Sequence, residues 1–467
     1  MSERFETQVL IVGGGPGGYV AAIRAGQLGL QVSLVEGERL GGVCLTRGCI
    51  PSKAVIHAAA QFEAAHRAEG ENPLGISTTG KASIDFSKTV RWKDGIVDRL
   101  SSGVAALLKK NRVKRIEGWP TFTDAKTCAV AQAGGKPLTI HAQHVVLATG
   151  SEAVNLPGLP FGGDILSSTE ALNLTRIPER LAVVGAGYIG LELGTAFRKL
   201  GAQVTVIEFQ DRILPQYDEA LSAPIAKALA RAGVEVRLGC KAIGFKSGAL
   251  QIEDSSGARH TIPADKVLVT VGRRPRLTGY GLEAMGVDIE RGAVKIDDHC
   301  RTAMKDVWAI GDVTGEPMLA HRASAQGEVV AEQIAGRRAA FAPMAIPAVC
   351  FTEPEVVTVG LQPAQAATGG REVMTAMFPL AANGRALSME AGEDDGFIRV
   401  VAAAADHRLL GFAAVGRHVS ELSGEMTALL EMGGRLEDVS GIIHAHPPLS
   451  ESLQEAALRS MGRAIHI

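Results

Sequence analysis

Cys44 and Cys49 stand in the run Gly-Gly-Val-Cys-Leu-Thr-Arg-Gly-Cys-Ile-Pro-Ser-Lys at residues 41–53, shortly after a G-x-G-x-x-G turn at Gly13, Gly15 and Gly18. Two thiols behind a dinucleotide fingerprint point to a redox-active disulfide beside a flavin. On a regular α-helix, residues five apart rise ~7.5 Å and sit roughly 8.6 Å from each other, beyond the ~7 Å Cα limit for a disulfide. The pair therefore needs an irregular turn, which Gly41, Gly42 and Gly48 permit. Pro51 suits the first turn of a helix running through Lys53, Ala54 and His57. Cys49 is expected at the positive end of that helix, where aligned amides favour a thiolate, and Cys44 further out, where it can meet a substrate sulfur. The competing reading is two small buried thiols that never pair.

The elements that must position these groups show up as an internal repeat. An offset of 172 residues lays Gly13, Gly15 and Gly18 over Gly185, Gly187 and Gly190 without a gap. Leu28-Gly29 then falls on Leu200-Gly201, Gln31-Val32 on Gln203-Val204, and Glu36 on Glu208. Each copy is predicted to be an apolar strand, a glycine turn, an amphipathic helix and a second strand ending in an acid. The glycines let the backbone approach a pyrophosphate held at a helix N-terminus, and the acid suits a ribose hydroxyl. Both acids lie 23 residues after the first glycine of their turn. A carboxylate at Glu208 would repel a 2′-phosphate, so NAD is favoured over NADP. Arg212 is expected on a solvated face or against a local acid.

Residues 145–150 (Val-Val-Leu-Ala-Thr-Gly) form an apolar strand ending in a turn, followed by a linker-like stretch with Pro157, Gly158 and Pro160. The second unit closes at residues 267–272, with Arg273-Arg274-Pro275 marking its exit. Residues 307–312 (Val-Trp-Ala-Ile-Gly-Asp) are another strand end, suited to a polar contact with a cofactor chain or to an ordinary strand–loop junction. From about Phe341 short strand-like runs at 348–352, 356–359 and 397–401 precede helical patterns at 421–432 and 449–461, which predicts a third, α+β domain. The expected boundaries are 1–150, 151–275, a returning segment at 276–345, and 346–467.

A chain of 467 residues has room for about three domains. Its 55 glycines, many at strand-to-helix junctions, favour α/β architecture over a helical bundle. The formal net charge of −2 removes any general electrostatic case for nucleic acid or an anionic membrane surface. The apolar run at 8–23 is broken by five glycines and Pro16, so it is neither a membrane span nor a signal-peptide core. The opening residues do not resemble a transit peptide. Cys128, Cys240, Cys300 and Cys350 are scattered singly, which fits a cytoplasmic protein with one catalytic disulfide. No Cys/His spacing resembles a zinc site, and no metal is expected.

Taken in order, six motifs carry a resemblance over essentially the whole chain. They are the cysteine run, Ala148-Thr149-Gly150, Gly-Ala-Gly-Tyr-Ile-Gly-Leu-Glu at 185–192, Val271-Gly272-Arg273-Arg274-Pro275, Ala309 to Asp312, and His444-Ala445-His446-Pro447. The chain resembles the flavin-dependent pyridine nucleotide disulfide oxidoreductases, most of all those that oxidise dihydrolipoamide. Stretches such as 92–110 further resemble the form serving branched-chain 2-oxo acid dehydrogenase complexes. The resemblance implies two Rossmann-like dinucleotide-binding domains, FAD in the first and NAD in the second, and a C-terminal α+β domain that builds a homodimer. It implies that Gly13, Gly15, Gly18 and Glu36 hold the adenine half of FAD, with Thr149 and Gly150 at the adjoining strand end. Asp312 would contact the ribityl chain. Lys53 would approach the flavin ring and pair with Glu192. Gly185, Gly187, Gly190, Glu208 and Gly272 would bind NAD, and Tyr188 would cover the flavin face where nicotinamide docks, unless it is a core aromatic.

His446 and Glu451 supply what thiol exchange requires: an imidazole that can take a thiol proton near neutral pH, and a carboxylate that orients it. In the resembled family this histidine comes from the partner subunit. The expected reaction begins with dihydrolipoamide, deprotonated by His446, attacking Cys44, after which its second thiol resolves the mixed disulfide. Cys49 is left as a thiolate against the flavin, and electrons leave as hydride to NAD⁺. The lipoyl group must arrive on another chain, the acyltransferase subunit of a 2-oxo acid dehydrogenase complex. Val43, Thr46 and Pro448 depart from the family pattern of Thr, Asn and Thr at these places. A cis His446–Pro447 peptide is also implied. The rival readings are a glutathione-type or mercuric-ion reductase, which the acid at Glu208 and the Ile465-His466-Ile467 ending oppose, and a redox-inactive structural flavoprotein.

Overall fold

Strand β1 (Glu3–Val12) contains Val9, Leu10, Ile11 and Val12, none more than 1% exposed, as only a strand covered on both faces can be. In the computed structural model, which describes residues 3–132, 135 and 137–467, that strand lies inside a mostly parallel sheet. The glycine turn follows it, then α1 (Pro16–Gln27) and β2 (Val32–Glu36), which pairs parallel with β1 in the register Val9 to Val32 and Val12 to Val35. Next come α2 (Gly42–Arg47), α3 (Cys49–Arg67), the long α4 (Phe86–Lys110) and β3 (Lys114–Glu117). Strands β4 (Trp119–Phe122), β5 (Thr127–Ala131) and β6 (Leu138–Leu147) add an antiparallel arm, and β6 turns back to run parallel beside β1. The sheet order is β3-β2-β1-β6-β5-β4, with Val307–Ala309 also pairing with β6. Short β7 (Ser151–Ala153) pairs with Arg273–Pro275. One face of α1 is nearly bare: Gly17, Gly18, Ala21, Ala22 and Ala25 are buried. That lets the helix Ala320–Ile334 come so close that a Cβ on Gly327 would lie 2.6 Å from the Gly17 carbonyl oxygen. These elements belong to a first compact unit of residues 1–156, 166–176 and 271–342.

The second unit takes residues 157–165, 177–270 and 343–467. In chain order β8 (Ile165–Leu166) and α5 (Ser168–Ala171), the latter within the first unit, precede the glycine turn that recurs between β9 (Arg180–Val184) and α6 (Tyr188–Lys199). There follow β10 (Gln203–Ile207), α7 (Glu219–Arg231) and β11 (Glu235–Arg237). The parallel sheet runs β11-β10-β9, then Lys266–Val269, then β8, and β9 and β10 pair Leu181 with Val204 and Val184 with Ile207. The C-terminal part of this unit is a five-stranded antiparallel sheet, in the order Ala348–Cys350, Glu355–Gly360, Leu409–Gly416, Phe397–Ala403 and Val373–Pro379. Phe378, Val400 and Phe412 of this sheet share a core with Leu453, Ala456 and Ala457 of the terminal helix Glu451–Ser460. The mixed α/β architecture expected from the sequence is what the chain adopts.

Candidate active site

In the first unit Gly13 has φ +105°, open to glycine alone, and a Cβ on it would lie 2.1 Å from the Ala148 oxygen. A Cβ on Gly18 would lie 1.8 Å from the Gly13 oxygen, so that position too admits only glycine. Gly15 caps α1, and its outer side meets nothing nearer than Gly42 Cα at 3.8 Å. Gly15 thus leaves room beside the N-terminus of α1, the kind of helix end that receives a pyrophosphate. Glu36, at the end of β2, accepts from Gly14 N–H at 2.6 Å on one oxygen and from Glu38 N–H at 2.8 Å on the other. The carboxylate is thereby aimed, with lone pairs left for a ribose.

The second unit repeats this construction. Gly185 has φ +100°, a Cβ on Gly190 would lie 2.2 Å from the Gly185 oxygen, and Gly187 has nothing within 4 Å of where its Cβ would be. Glu208 accepts from Ala186 N–H at 2.6 Å and from Gln210 N–H at 2.8 Å. Arg212 donates to the Pro215 carbonyl at 2.7 Å and so is committed to its own loop rather than to an acid. Tyr188 opens α6 and is 37% exposed, whereas Glu192, one turn on, is buried and accepts from Phe351 N–H at 2.9 Å. Tyr217 lies close to Tyr188, Glu192 and Cys350, and burial above all pushes its phenol up.

The cysteines sit on either side of a helix break. Cys44 is inside α2, Gly48 departs from helical geometry at φ −138° and ψ −107°, and Cys49 opens α3. The break brings the thiols within hydrogen-bonding contact. The hydrogen bond to Cys49 pushes the Cys44 thiol well up, burial adds to this, and the Lys53 ammonium acts weakly in the other direction. Cys49 stands at the amide end of a 19-residue helix, a position that favours a thiolate. Cys49 is exposed and Cys44 half-buried. Cys44 lies within α2, near Tyr19 of α1, whose phenol is pushed up mainly by burial, while Cys49 stands at a helix start. Lys53 follows Cys49 by four residues, on the same face of α3. Thr46 turns its hydroxyl back to the Gly42 carbonyl at 2.6 Å.

Asp312 lies in the short 3-10 turn Gly311–Thr314. It accepts from the Ser151 hydroxyl at 2.5 Å, and Ser151 in turn accepts from Arg273 Nε at 2.9 Å while its carbonyl accepts from Arg273 Nη2 at 2.9 Å. Gln326 fixes the same turn by accepting from Gly311 N–H at 2.7 Å. Ser151 and Gln326 carry no motif of their own, and Arg273, though part of the motif at 271–275, marks in the sequence only the exit of the second unit; their action on the Asp312 turn comes from elsewhere in the chain and leaves no local signal. Thr149 donates to the Arg276 carbonyl at 2.9 Å, and Gly150 and Gly272, both at positive φ, have no atom within 4 Å of a would-be Cβ.

His446 is 83% exposed and its Nδ1 is 2.9 Å from Glu451 Oε1, which leaves Nε2 outward to take a proton. The peptide to Pro447 is cis. The loop carrying His446 is pinned twice. His444, buried, meets Glu425 through Nε2 at 2.9 Å and the Ile442 carbonyl through Nδ1 at 3.1 Å, and Asn383 donates to the Pro448 carbonyl at 3.2 Å.

Residues 7–327 match the family model described as pyridine nucleotide-disulphide oxidoreductase, and residues 346–457 match the dimerisation domain of the same family. The chain is 58% identical, over all of both chains, to a dihydrolipoyl dehydrogenase of Pseudomonas aeruginosa. It is 44% identical to one of Geobacillus stearothermophilus, covering 99% of this chain and 98% of that one. Among solved structures it is similar to LpdA of Mycobacterium tuberculosis, with a TM-score of 0.88, 27% identity and coverage of 97% and 99%. It is also similar to the HOCl-induced flavoprotein disulfide reductase RclA of Escherichia coli, with a TM-score of 0.84, 25% identity and coverage of 96% and 99%.

Proposed function

The chain belongs to the pyridine nucleotide-disulphide oxidoreductase family, and we propose that Cys44, Cys49, His446 and Glu451 carry its chemistry. It is an FAD- and NAD-dependent enzyme that oxidises dihydrolipoamide to lipoamide and forms NADH. The observation that supports these roles best is the helix break at Gly48, which puts Cys49 at an amide end and in hydrogen-bonding contact with Cys44.

His446 takes the proton of one substrate thiol at Nε2 while Glu451 holds Nδ1. The thiolate attacks the Cys44 sulfur of the oxidised pair, the Cys44–Cys49 bond breaks, and Cys49 leaves as a thiolate stabilised by the start of α3. The second substrate thiol displaces Cys44 and closes the lipoamide ring, leaving the two cysteines reduced by one electron pair. FAD, when bound, would supply the acceptor for that pair and the hydride donor for NAD⁺. Gly13, Gly15, Gly18 and Glu36 would hold the adenine half of FAD, Thr149 and Gly150 would border it, Asp312 would take its ribityl chain, and Lys53 would supply a cation to its ring. Gly185, Gly187, Gly190, Glu208 and Gly272 would hold NAD, with Tyr188 as the cover where nicotinamide docks and Glu192, one turn on, as a buried carboxylate.

We assign FAD to residues 1–150 with 276–345, NAD to 151–275, and subunit contacts to 346–467. The dimerisation domain makes the chain a homodimer. Each subunit's His446 serves the other subunit's disulfide, so activity requires the dimer. The partner that brings the substrate is the lipoyl-bearing acyltransferase of a 2-oxo acid dehydrogenase complex. Among the described residues no helix is long and apolar enough to cross a membrane. Cys128, Cys240, Cys300 and Cys350 are buried and outside any disulfide, which supports a cytoplasmic setting.

The test is NADH formation by the FAD-loaded dimer from NAD⁺ and dihydrolipoamide, free and on a lipoyl domain, with NADP⁺ in parallel. Turnover with NAD⁺ and preference for the lipoyl domain support the reading. A flavin-bound dimer that turns over only oxidised glutathione with NADPH would refute it.

A further inference from the structure

Phe209 is 68% exposed although it directly follows Glu208, which is only 8% exposed. The backbone on both sides of it is pinned. Cys240 N–H donates to the Glu208 carbonyl at 2.9 Å, and Gly239 N–H donates to the Gln210 carbonyl at 2.9 Å. The ring is thus held at the rim of the sheet beside the ribose-binding carboxylate rather than left on a loose loop. A carboxylate that accepts from a ribose 2′-hydroxyl fixes the sugar whose neighbouring C1′ carries adenine. The base must therefore leave the sugar close to the residue that follows the acid. An aromatic face there, already open to solvent, can stack a base without rearrangement.

The first unit reaches the same arrangement by a different route. At the offset of 172, position 209 corresponds to Gly37, and a Cβ on Gly37 would lie 2.5 Å from the Trp119 ring. Trp119 is 45% exposed, and Gly118 N–H donates to the Glu36 carbonyl at 3.0 Å, as Cys240 N–H does to Glu208. In each half, then, an exposed ring lies at the residue following the ribose acid. In one half the adjoining strand supplies it, across a glycine that makes room; in the other the position supplies it directly. Chance exposure of a single apolar side chain would not produce this correspondence twice.

We propose that Phe209 is the platform on which the adenine of NAD stacks, and so sets affinity for the adenosine half of the dinucleotide. The proposal rests on the assignment of NAD to the second unit. In the FAD-loaded enzyme, Phe209→Ala should weaken calorimetric binding of ADP-ribose about 5- to 100-fold, the range that base–aromatic stacking spans. The KM for NAD⁺ should rise by a similar factor with kcat held, and Phe209→Trp should restore both. ADP-ribose affinity within about twofold of the parent's, against the stacking range above, overturns the proposal, as does a fall in kcat that Phe209→Trp does not rescue. Glu208→Gln, measured beside it, separates the two ideas. If Glu208→Gln binds ADP-ribose weakly and Phe209→Ala does not, the stacking role alone fails; if neither variant is weakened, the NAD assignment of this unit fails as well.

Discussion

Glu36 and Glu208, 172 residues apart, are held by the same two amides. In each case the N–H of the residue after the first glycine donates to one carboxylate oxygen, and the N–H two residues after the acid donates to the other. Charge-assisted bonds of this kind offset the loss of water around a largely buried carboxylate such as Glu208. They also fix the direction of the remaining lone pairs, which a freely rotating surface acid would not.

That fixed charge sets the choice of nicotinamide dinucleotide. Glu208→Gln removes the negative charge and keeps one acceptor. Loss of a hydrogen bond to a charged group, ~1.5–3 kcal/mol, lowers kcat/KM for NAD⁺ about 10- to 100-fold. Use of NADP⁺ should improve, because its 2′-phosphate no longer meets a carboxylate. Steady-state kinetics with both dinucleotides decide it: an unchanged NAD⁺ to NADP⁺ ratio would show that Glu208 does not face the ribose.

The asymmetry between the cysteines predicts distinct phenotypes. Both Cys44→Ser and Cys49→Ser abolish lipoamide oxidation, since neither variant can form the disulfide. Cys44→Ser keeps the Cys49 thiolate at the start of α3 and should retain the long-wavelength absorbance that a thiolate lends to a neighbouring flavin. Cys49→Ser should lose it. Visible spectra of the two flavin-loaded variants are sufficient, and the opposite pattern would exchange the roles of the sulfurs.

How much of this was legible in the sequence depends on how local the cause is. Helix α1 spans Pro16–Gln27 and α6 spans Tyr188–Lys199, the same residues at the offset of 172, because a glycine turn and its acid impose their geometry over a short stretch. The break at Gly48 was legible because disulfide reach excludes a continuous helix. The antiparallel arm β4-β5 and the helix Ala320–Ile334 were not foreseen. Most of that helix's buried face is polar or small, with Arg322, Ala323, Gln326, Gly327 and Ala331, so it carries little hydrophobic periodicity. Side chains that act only on Asp312 leave no pattern at all.

Ser151 is such a side chain, and its removal should be felt at the flavin. Ser151→Ala takes away the donor to Asp312 and the acceptor for Arg273 Nε, which leaves a carboxylate without one of its fixed partners. A lost hydrogen bond of ~1 kcal/mol weakens FAD binding about 5-fold and lowers the Tm of the holoenzyme. Fluorescence titration of the apoprotein with FAD measures the first effect directly. Ser151→Thr keeps the hydroxyl and should restore affinity, whereas equal binding by the alanine variant would mean that Asp312 is positioned without Ser151.

His446 and Glu451 make a base and the group that orients it, and the two should not be equal in effect. His446→Gln removes the proton acceptor and should lower kcat for dihydrolipoamide about 10²- to 10⁴-fold, the usual weight of a positioned general base. Glu451→Gln keeps a hydrogen-bond acceptor 2.9 Å from Nδ1 but not the charge that favours the imidazolium, so its loss should be smaller. Reduction of an artificial acceptor by NADH does not call on a substrate thiol. It should survive in both variants, which separates proton transfer from folding and flavin loading. If the His446→Gln dimer oxidised dihydrolipoamide at the parent rate while its flavin content was intact, another group would have to be the base, and the outward Nε2 of His446 would be left with no part in thiol exchange.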